Sequence, residues 1–99
     1  MSVDLLAIAA HRDDVELTCA GTLIKAAKQG RKVAVLDLTA GEMGTKGDAK
    51  TRAEEAEMAA KIMKLSAREN LGLPDAAIVN DPATRAVVAR VIRRFKPRV

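Results

Sequence analysis

Near its N-terminus the chain places one imidazole beside several carboxylates. His11 is followed by Arg12, Asp13 and Asp14, and Glu16 adds a third carboxylate. Because the two aspartates are adjacent, their side chains point in different directions, so one can bind a metal ion while the other faces substrate or water. Zinc accepts mixed His and Asp ligands, and catalytic zinc has three protein ligands plus water. The segment could supply two ligands of a hydrolytic zinc site, or it could simply end a strand and cap a helix.

The elements around this segment are a predicted strand and a predicted helix. Residues 3–10 form a continuous apolar run, which is typical of a buried parallel strand. Ligands of open α/β sheets bind beyond the carboxyl ends of such strands. A helix should follow and end at Gly30, with Cys19 as a small core residue. Its inward face is predicted to be Leu17, Ala20, Leu23, Ile24 and Ala27.

The rest of the chain repeats this alternation. A second buried strand is predicted at 32–38 and a third, shorter one at 67–71, with a glycine-containing loop at 39–50. The helix after that loop could begin at Asp48, or at a capping box of Thr51 and Glu54. Helical spacing predicts an exposed ion pair between Glu57 and Lys61. The same spacing predicts that the inward face consists of Ala56, Ala59, Ala60 and Met63.

The last predicted helix has sequence signals at both ends. Asp81 and Pro82 match an N-cap followed by proline at the first helical position, and Pro97 would end the helix. Its apolar face is predicted to be Val87, Val88, Val91, Ile92 and Phe95. Arg98 and Val99 resemble the first step of a fourth strand.

The β-α-β-α-β-α order predicts an α/β fold: a Rossmann-like, doubly wound parallel sheet with helices on both faces. Three parallel strands leave open edges. We therefore expect residues 1–99 to be the N-terminal half of a single larger domain, and we expect self-association into a homo-oligomer. The first strand-to-helix turn has no G-x-G-x-x-G motif, which argues against dinucleotide binding.

Composition excludes several classes of protein. A single cysteine cannot form an internal disulfide, no run of 18 apolar residues exists, and the first residues lack the basic region of a signal peptide. We therefore expect a cytoplasmic protein without a membrane span. The net charge of +4 includes basic residues near the C-terminus. No aromatic residues alternate with them to stack on bases, so a nucleic-acid partner is not expected.

Four sequence blocks together resemble the PIG-L/LmbE-type zinc N-deacetylases, which have A-H-P-D-D-x-E, D-L-T-x-G-E-x-G-T-x-G, R-x-E-E and N-L-G-L-P-D segments in this order. The corresponding segments here are AHRDDVE at 10–16, DLTAGEMGTKG at 37–47, RAEE at 52–55 and NLGLPD at 70–75. The resemblance is nearest to the bacillithiol-biosynthesis branch, which removes acetate from N-acetylglucosaminyl-malate.

The resemblance implies a role for each matching residue. His11 and Asp14 would be ligands of Zn²⁺, and Asp13 would be the general base that takes a proton from the attacking water. Arg52 and Glu42 would line the site of a small-molecule N-acetylglucosaminyl substrate. The implied activity is metal-dependent hydrolysis of an N-acetyl group.

The chain departs from the family pattern at three points. Arg12 replaces a proline, Lys64 replaces a helix-ending glycine, and His11 is the single histidine. The family's third zinc ligand is a histidine of an H-x-x-H segment that this chain does not contain. The isolated chain is thus expected to bind zinc substoichiometrically and to show negligible turnover. The alternative is a non-catalytic module that binds metal or sugar weakly.

Overall fold

The expected alternation of strands and helices is confirmed by the computed structural model, which describes residues 2–11, 14–40 and 49–99. The strands are β1 (Leu5–Ala9), β2 (Val33–Thr39) and β3 (Ala67–Leu73). The helices are α1 (Asp14–Thr18), α2 (Ala20–Lys28), α3 (Ala49–Met63) and α4 (Pro82–Phe95). Among the described residues, no helix is both long and apolar enough to cross a membrane.

The sheet is fully parallel, in the order β1-β2-β3. Because right-handed crossovers that progress in one direction place their helices on one face, α1, α2 and α3 should all cover the same side. The contacts agree: Val15 and Leu23 pack on Val33 and Val35. From β3, Arg68 reaches Asp37, Glu16 and the Ala56 carbonyl on that same side.

The opposite face of the sheet is covered by α4. Val91 and Phe95 pack against Ala34 and Leu36 of β2. The predicted start of this helix is confirmed, because the Thr84 backbone N–H donates to Asp81 Oδ1 at 2.7 Å and Pro82 opens the helix. Helices therefore lie on both faces, as expected.

Beyond α4 the chain returns to the free edge of β1. The backbone N–H of Val99 donates to the Asp4 carbonyl at 3.1 Å, and the N–H of Leu6 donates to the Val99 carbonyl at 2.9 Å. This alternation is one step of a parallel ladder, which confirms the strand-like start predicted at Arg98 and Val99. The strand order reverses at β1, so the carboxyl end of β1 lies at a topological switch point, where doubly wound sheets bind ligands.

The first predicted helix is two helices, and one inward residue was wrong. Cys19 interrupts the helix with φ −137°, so α1 and α2 do not share one helical phase. Leu17 is 80% exposed, and Val15 is the buried residue of α1. Leu23 is buried as predicted, Cys19 packs beside that cluster, and Gly30 ends α2 with φ +83°.

Of the two predicted starts of α3, the capping box is excluded. The helix begins at Ala49, which places Thr51 within it; Asp48 lies outside the described residues. The predicted inward face is confirmed by buried Ala56 and Met63. The predicted ion pair forms on the exposed side, with Lys61 Nζ 4.0 Å from Glu57 Oε1.

Candidate functional site

The carboxyl ends of the three strands are joined by side-chain hydrogen bonds. Thr39, at the end of β2, donates from both its backbone N–H and its hydroxyl to the Ala10 carbonyl, each at 2.9 Å. From β3, the Asn70 side-chain amide donates to the Thr39 carbonyl at 2.6 Å. These contacts fix the position of the backbone immediately before His11.

His11 and Asp14 form a tight turn between β1 and α1. Asp14 Oδ2 accepts a hydrogen bond from the His11 backbone N–H at 3.0 Å and lies 3.3 Å from His11 Nδ1. The backbone N–H of Asp14 donates to the His11 carbonyl at 3.3 Å. The Asp14 carboxylate is thus turned back toward the imidazole, so two of the predicted site residues are brought together.

A second carboxylate binds the other ring nitrogen of His11. His11 Nε2 lies 2.7 Å from Asp75 Oδ1, although the two residues are 64 positions apart. The Asp75 side chain is only 6% exposed. This hydrogen bond raises the pKa of the His11 imidazole above its ordinary value of 6.5, against the opposing effect of burial, and Asp14 adds to the rise.

The backbone that carries Asp75 is shaped by two unusual conformations. The β2–β3 register shifts by one residue between Asp37 and Thr39, and Gly72 adopts φ +67° in β3 at that place. Such a bulge redirects the chain beyond it. The following turn is closed by a hydrogen bond from the Ala77 N–H to the Pro74 carbonyl at 3.2 Å, with Ala76 at φ +61°. A non-glycine residue there is strained, which is frequent beside functional groups.

The His11 and Asp14 pair fits a zinc ion in both spacing and chemistry. Two ligand atoms at about 2.0–2.1 Å from a tetrahedral zinc are about 3.3 Å apart, and His11 Nδ1 and Asp14 Oδ2 are separated by 3.3 Å. A charge-assisted hydrogen bond would be shorter, at about 2.7–2.9 Å. Among the described residues, no group of three or more His, Cys, Asp or Glu side chains is arranged around a metal position. The pair would therefore supply two ligands.

Of the other predicted site residues, Arg52 lies in the described part of the chain. Arg12, Asp13 and Glu42 lie outside the described residues. Arg52 is half-buried near the start of α3. Since α3 follows the carboxyl end of β2, and all three strands are parallel, Arg52 is near the same edge of the sheet as His11.

A buried ionic cluster beneath the site was not predicted. Arg68 donates to both carboxylate oxygens of Asp37, at 2.7 and 3.1 Å, and a further ion pair joins it to Glu16 of α1. Burial alone lowers the pKa of Arg68, but the hydrogen bonds of Asp37 and Glu16 outweigh burial and raise it. The cluster ties the helix that carries Asp14 to the sheet. Its sequence signal is the charged Asp37 within the apolar strand β2, whereas Arg68 lies in the polar first half of β3.

Asp75 was also missed as a site residue, although its N-L-G-L-P-D segment was noted. Its signal was a carboxylate directly after a strand of a parallel sheet, the position where ligands bind. That signal gives the edge of the sheet but not the partner, because the contact with His11 exists only once β1 and β3 lie in one sheet.

Comparison with known proteins adds family evidence to this geometry. The sequence profile of the family described as PIG-L, GlcNAc-PI de-N-acetylase, matches residues 6–99. The chain is 42% identical over 59 residues to the uncharacterized deacetylase YaiS of Escherichia coli K12, a match that covers 60% of this chain and 31% of YaiS.

Solved structures share the fold. The conserved protein TT1542 of Thermus thermophilus superposes with a TM-score of 0.92 at 45% identity, over 97% of this chain and 44% of TT1542. GalB, the 4-carboxy-2-hydroxymuconate hydratase of Pseudomonas putida KT2440, superposes with a TM-score of 0.80 at 28% identity, over 98% of this chain and 45% of GalB. The chain thus spans less than half the length of each of these relatives. Its α/β fold is that of these proteins, and with a profile match over nearly its whole length, the chain belongs to the PIG-L (GlcNAc-PI de-N-acetylase) family.

Proposed function

We propose that residues 1–99 form the N-terminal half of the catalytic domain of a zinc-dependent N-deacetylase. The observation that carries this proposal is the pair formed by His11 Nδ1 and Asp14 Oδ2, 3.3 Å apart at the carboxyl end of β1. The two atoms lie at the spacing of adjacent zinc ligands, at the switch point of the sheet. Family membership supplies the reaction class.

Each residue of the segment has a distinct task in the proposed reaction. His11 and Asp14 hold the metal, which when bound would polarise the acetamide carbonyl and acidify a water molecule. Asp13 takes one proton from that water as its oxygen attacks the carbonyl carbon. The carbon–nitrogen bond then breaks as Asp13 returns this proton to the nitrogen, and the products are an amine and acetic acid, which ionises to acetate.

The proposed substrate is an N-acetylglucosamine conjugate of the bacillithiol pathway, N-acetylglucosaminyl-malate. Arg52 would hold a hydroxyl or carboxylate through its planar guanidinium, and Glu42 would bind sugar hydroxyls. The cationic Arg12 would face the malate carboxylates. The assignments of Arg52 and Glu42 follow the family resemblance, together with the position of Arg52 at the carboxyl edge of the sheet. Arg12 departs from the family's proline, so its assignment rests on its positive charge, which could instead weaken metal binding.

Fold alone does not determine this reaction, because a relative 28% identical to this chain is named as a hydratase. The alternative proposal is a non-catalytic module, which is favoured for the isolated chain because the described residues bring two candidate ligands together and not three. We expect this chain alone to bind less than one equivalent of zinc and to release almost no acetate. Tight one-to-one zinc with measurable acetate release would contradict that expectation.

The activity itself is best tested in a chimera with TT1542. Residues 1–99 would replace the matching N-terminal part of TT1542, chosen for its 45% identity, and acetate release from N-acetylglucosaminyl-malate and from N-acetylglucosamine would be measured with Zn²⁺. We expect release from the conjugate to exceed release from the free sugar. The variant Asp13→Asn should lose about 10²–10⁴-fold in rate while its zinc content is unchanged.

The parent TT1542 and the chimera variant Asp14→Asn serve as controls. Loss of zinc in Asp14→Asn, with Asp13→Asn still loaded, would support the division between ligand and base. A folded, zinc-loaded chimera that releases no acetate from either compound, under conditions in which TT1542 does, would refute the deacetylase proposal and favour the non-catalytic module.

A further inference from the structure

The buried carboxylate of Asp75 and the imidazole of His11 are joined across the sheet edge by the shorter of the two contacts of this ring. Nε2 lies 2.7 Å from Asp75 Oδ1, whereas Nδ1 lies 3.3 Å from Asp14 Oδ2. A carboxylate accepts hydrogen bonds and cannot donate them when ionised. Nε2 is therefore the ring nitrogen turned to Asp75, and Nδ1 is the ring nitrogen turned to Asp14.

The structure holds Asp75 firmly in this place. Its side chain is almost fully buried, in contrast with the half-exposed imidazole. The preceding strand is bent by the bulge at Gly72, and the turn is closed by the Ala77-to-Pro74 hydrogen bond with strained Ala76 in the centre. The turn therefore directs the Asp75 carboxylate toward β1, where it meets Nε2 of His11.

We propose that Asp75 is a positioning residue that fixes the ring orientation and the tautomer of His11, so that Nδ1 and not Nε2 is the metal ligand. Histidine ligands of metals usually donate their second N–H to a carboxylate or carbonyl, and loss of that partner typically costs 10–100-fold in metal affinity. The inference rests on the proposed metal site but not on the deacetylation step. It gives the turn after β3 a role in a site whose two ligands both come from the segment after β1.

The single histidine of the chain makes the proposal directly measurable. In the metal-free chain, ¹⁵N-resolved imidazole NMR should show one protected Nε2–H proton that exchanges slowly with water. The variant Asp75→Ala should lose this signal. In a titration with Zn²⁺ alone, followed through the same imidazole, Asp75→Ala should bind about 10–100-fold more weakly than the parent chain.

Asp14→Asn is the matched control. It should lose zinc affinity but retain the protected Nε2–H signal, because the contact with Asp75 is untouched. Asp75→Asn, whose amide oxygen can still accept from Nε2–H, should retain the signal with a smaller loss of zinc affinity, and it replaces Asp75→Ala if that variant does not fold. Protected Nε2–H or parent-like zinc affinity in a folded Asp75→Ala chain would overturn the proposal. A failure of acetate release in the chimera would leave these readouts unchanged.

Discussion

Lys64 and Gly30 occupy the same position after two different helices. In α2, the Gly30 N–H donates to the Ala27 carbonyl and the Arg31 N–H to the Ala26 carbonyl. In α3, the backbone N–H groups of Lys64 and of the residue after it make the same two hydrogen bonds to carbonyls of the last helical turn. Both are Schellman endings, which need a left-handed residue, and φ is +83° at Gly30 and +57° at Lys64. A left-handed conformation costs an L-residue about 1–2 kcal/mol that glycine does not lose.

The variant Lys64→Gly should therefore stabilise the chain. We expect the free energy of unfolding to rise by about 0.5–1 kcal/mol, since the strain is relieved and part of the gain is offset by the greater entropy of glycine in the unfolded chain. Urea denaturation measures this change. Gly30→Lys is the matched control and should lower stability by a similar amount; if both variants are neutral, backbone strain is not the cause.

At the scale of elements, each helix depends on its ends for its direction relative to the sheet. The N-cap contact from the Thr84 N–H to Asp81 Oδ1 lowers the pKa of Asp81, and the side-chain hydroxyl of Thr84 adds to this effect. The folded state thus binds a proton at Asp81 less readily than the unfolded state. Its contribution to stability is present above the unfolded pKa of 3.8 and is lost as the pH falls through the lower folded pKa.

Two variants distinguish the effect of the capping hydrogen bond from the effect of the negative charge on Asp81. Asp81→Ala should lower the Tm at neutral pH, because the Thr84 N–H loses its partner. Asp81→Asn retains a capping oxygen but does not titrate, so its Tm should fall less between pH 5 and pH 3 than that of the parent chain. Calorimetry across that range checks both expectations, and identical acid slopes for Asp81→Asn and the parent would show that Asp81 does not contribute.

At the scale of the whole molecule, Arg68 joins the sheet to the helices on one of its faces. It binds Asp37 of the central strand and Glu16 of α1, and it lies against the Ala56 carbonyl of α3. A buried ion pair is weak evidence for net stability, but removal of one partner leaves an uncompensated buried charge. The side chain of Asp37, which is only 2% exposed, would then lose the guanidinium that compensates its charge.

Arg68→Met should consequently lower the free energy of unfolding by about 3–5 kcal/mol. Arg94→Met is the control, because Arg94 and Glu69 form an exposed pair that should contribute less than about 1 kcal/mol. The double variant Arg68→Met with Asp37→Leu should recover part of the loss, since only Glu16, which is 27% exposed, is then left without the guanidinium. Equal effects of Arg68→Met and Arg94→Met in chemical denaturation would contradict this assignment.

The sequence predicted those features that depend on local periodicity or on single-residue geometry. The apolar runs of β1 and β2 and the Asp81 cap follow from neighbours within a few residues, whereas the helix-ending position of Lys64 was identified from the family resemblance. Leu17 was wrong because the interruption at Cys19 has no local signal. The contact of Asp75 with His11 and the pairing of Arg68 with Asp37 could not be predicted, since each needs the register of strands distant in the chain. His11 and Asp14 were found together because one turn contains both.

The attachment of α1 through Arg68 has a consequence for how the molecule opens. If this helix frayed alone, the guanidinium would lose one carboxylate while it remained enclosed with the other, which makes such partial opening costly. We therefore expect the segment bearing His11 and Asp14 to melt with the sheet as one cooperative unit, so that the candidate ligands stay together for as long as the domain is folded.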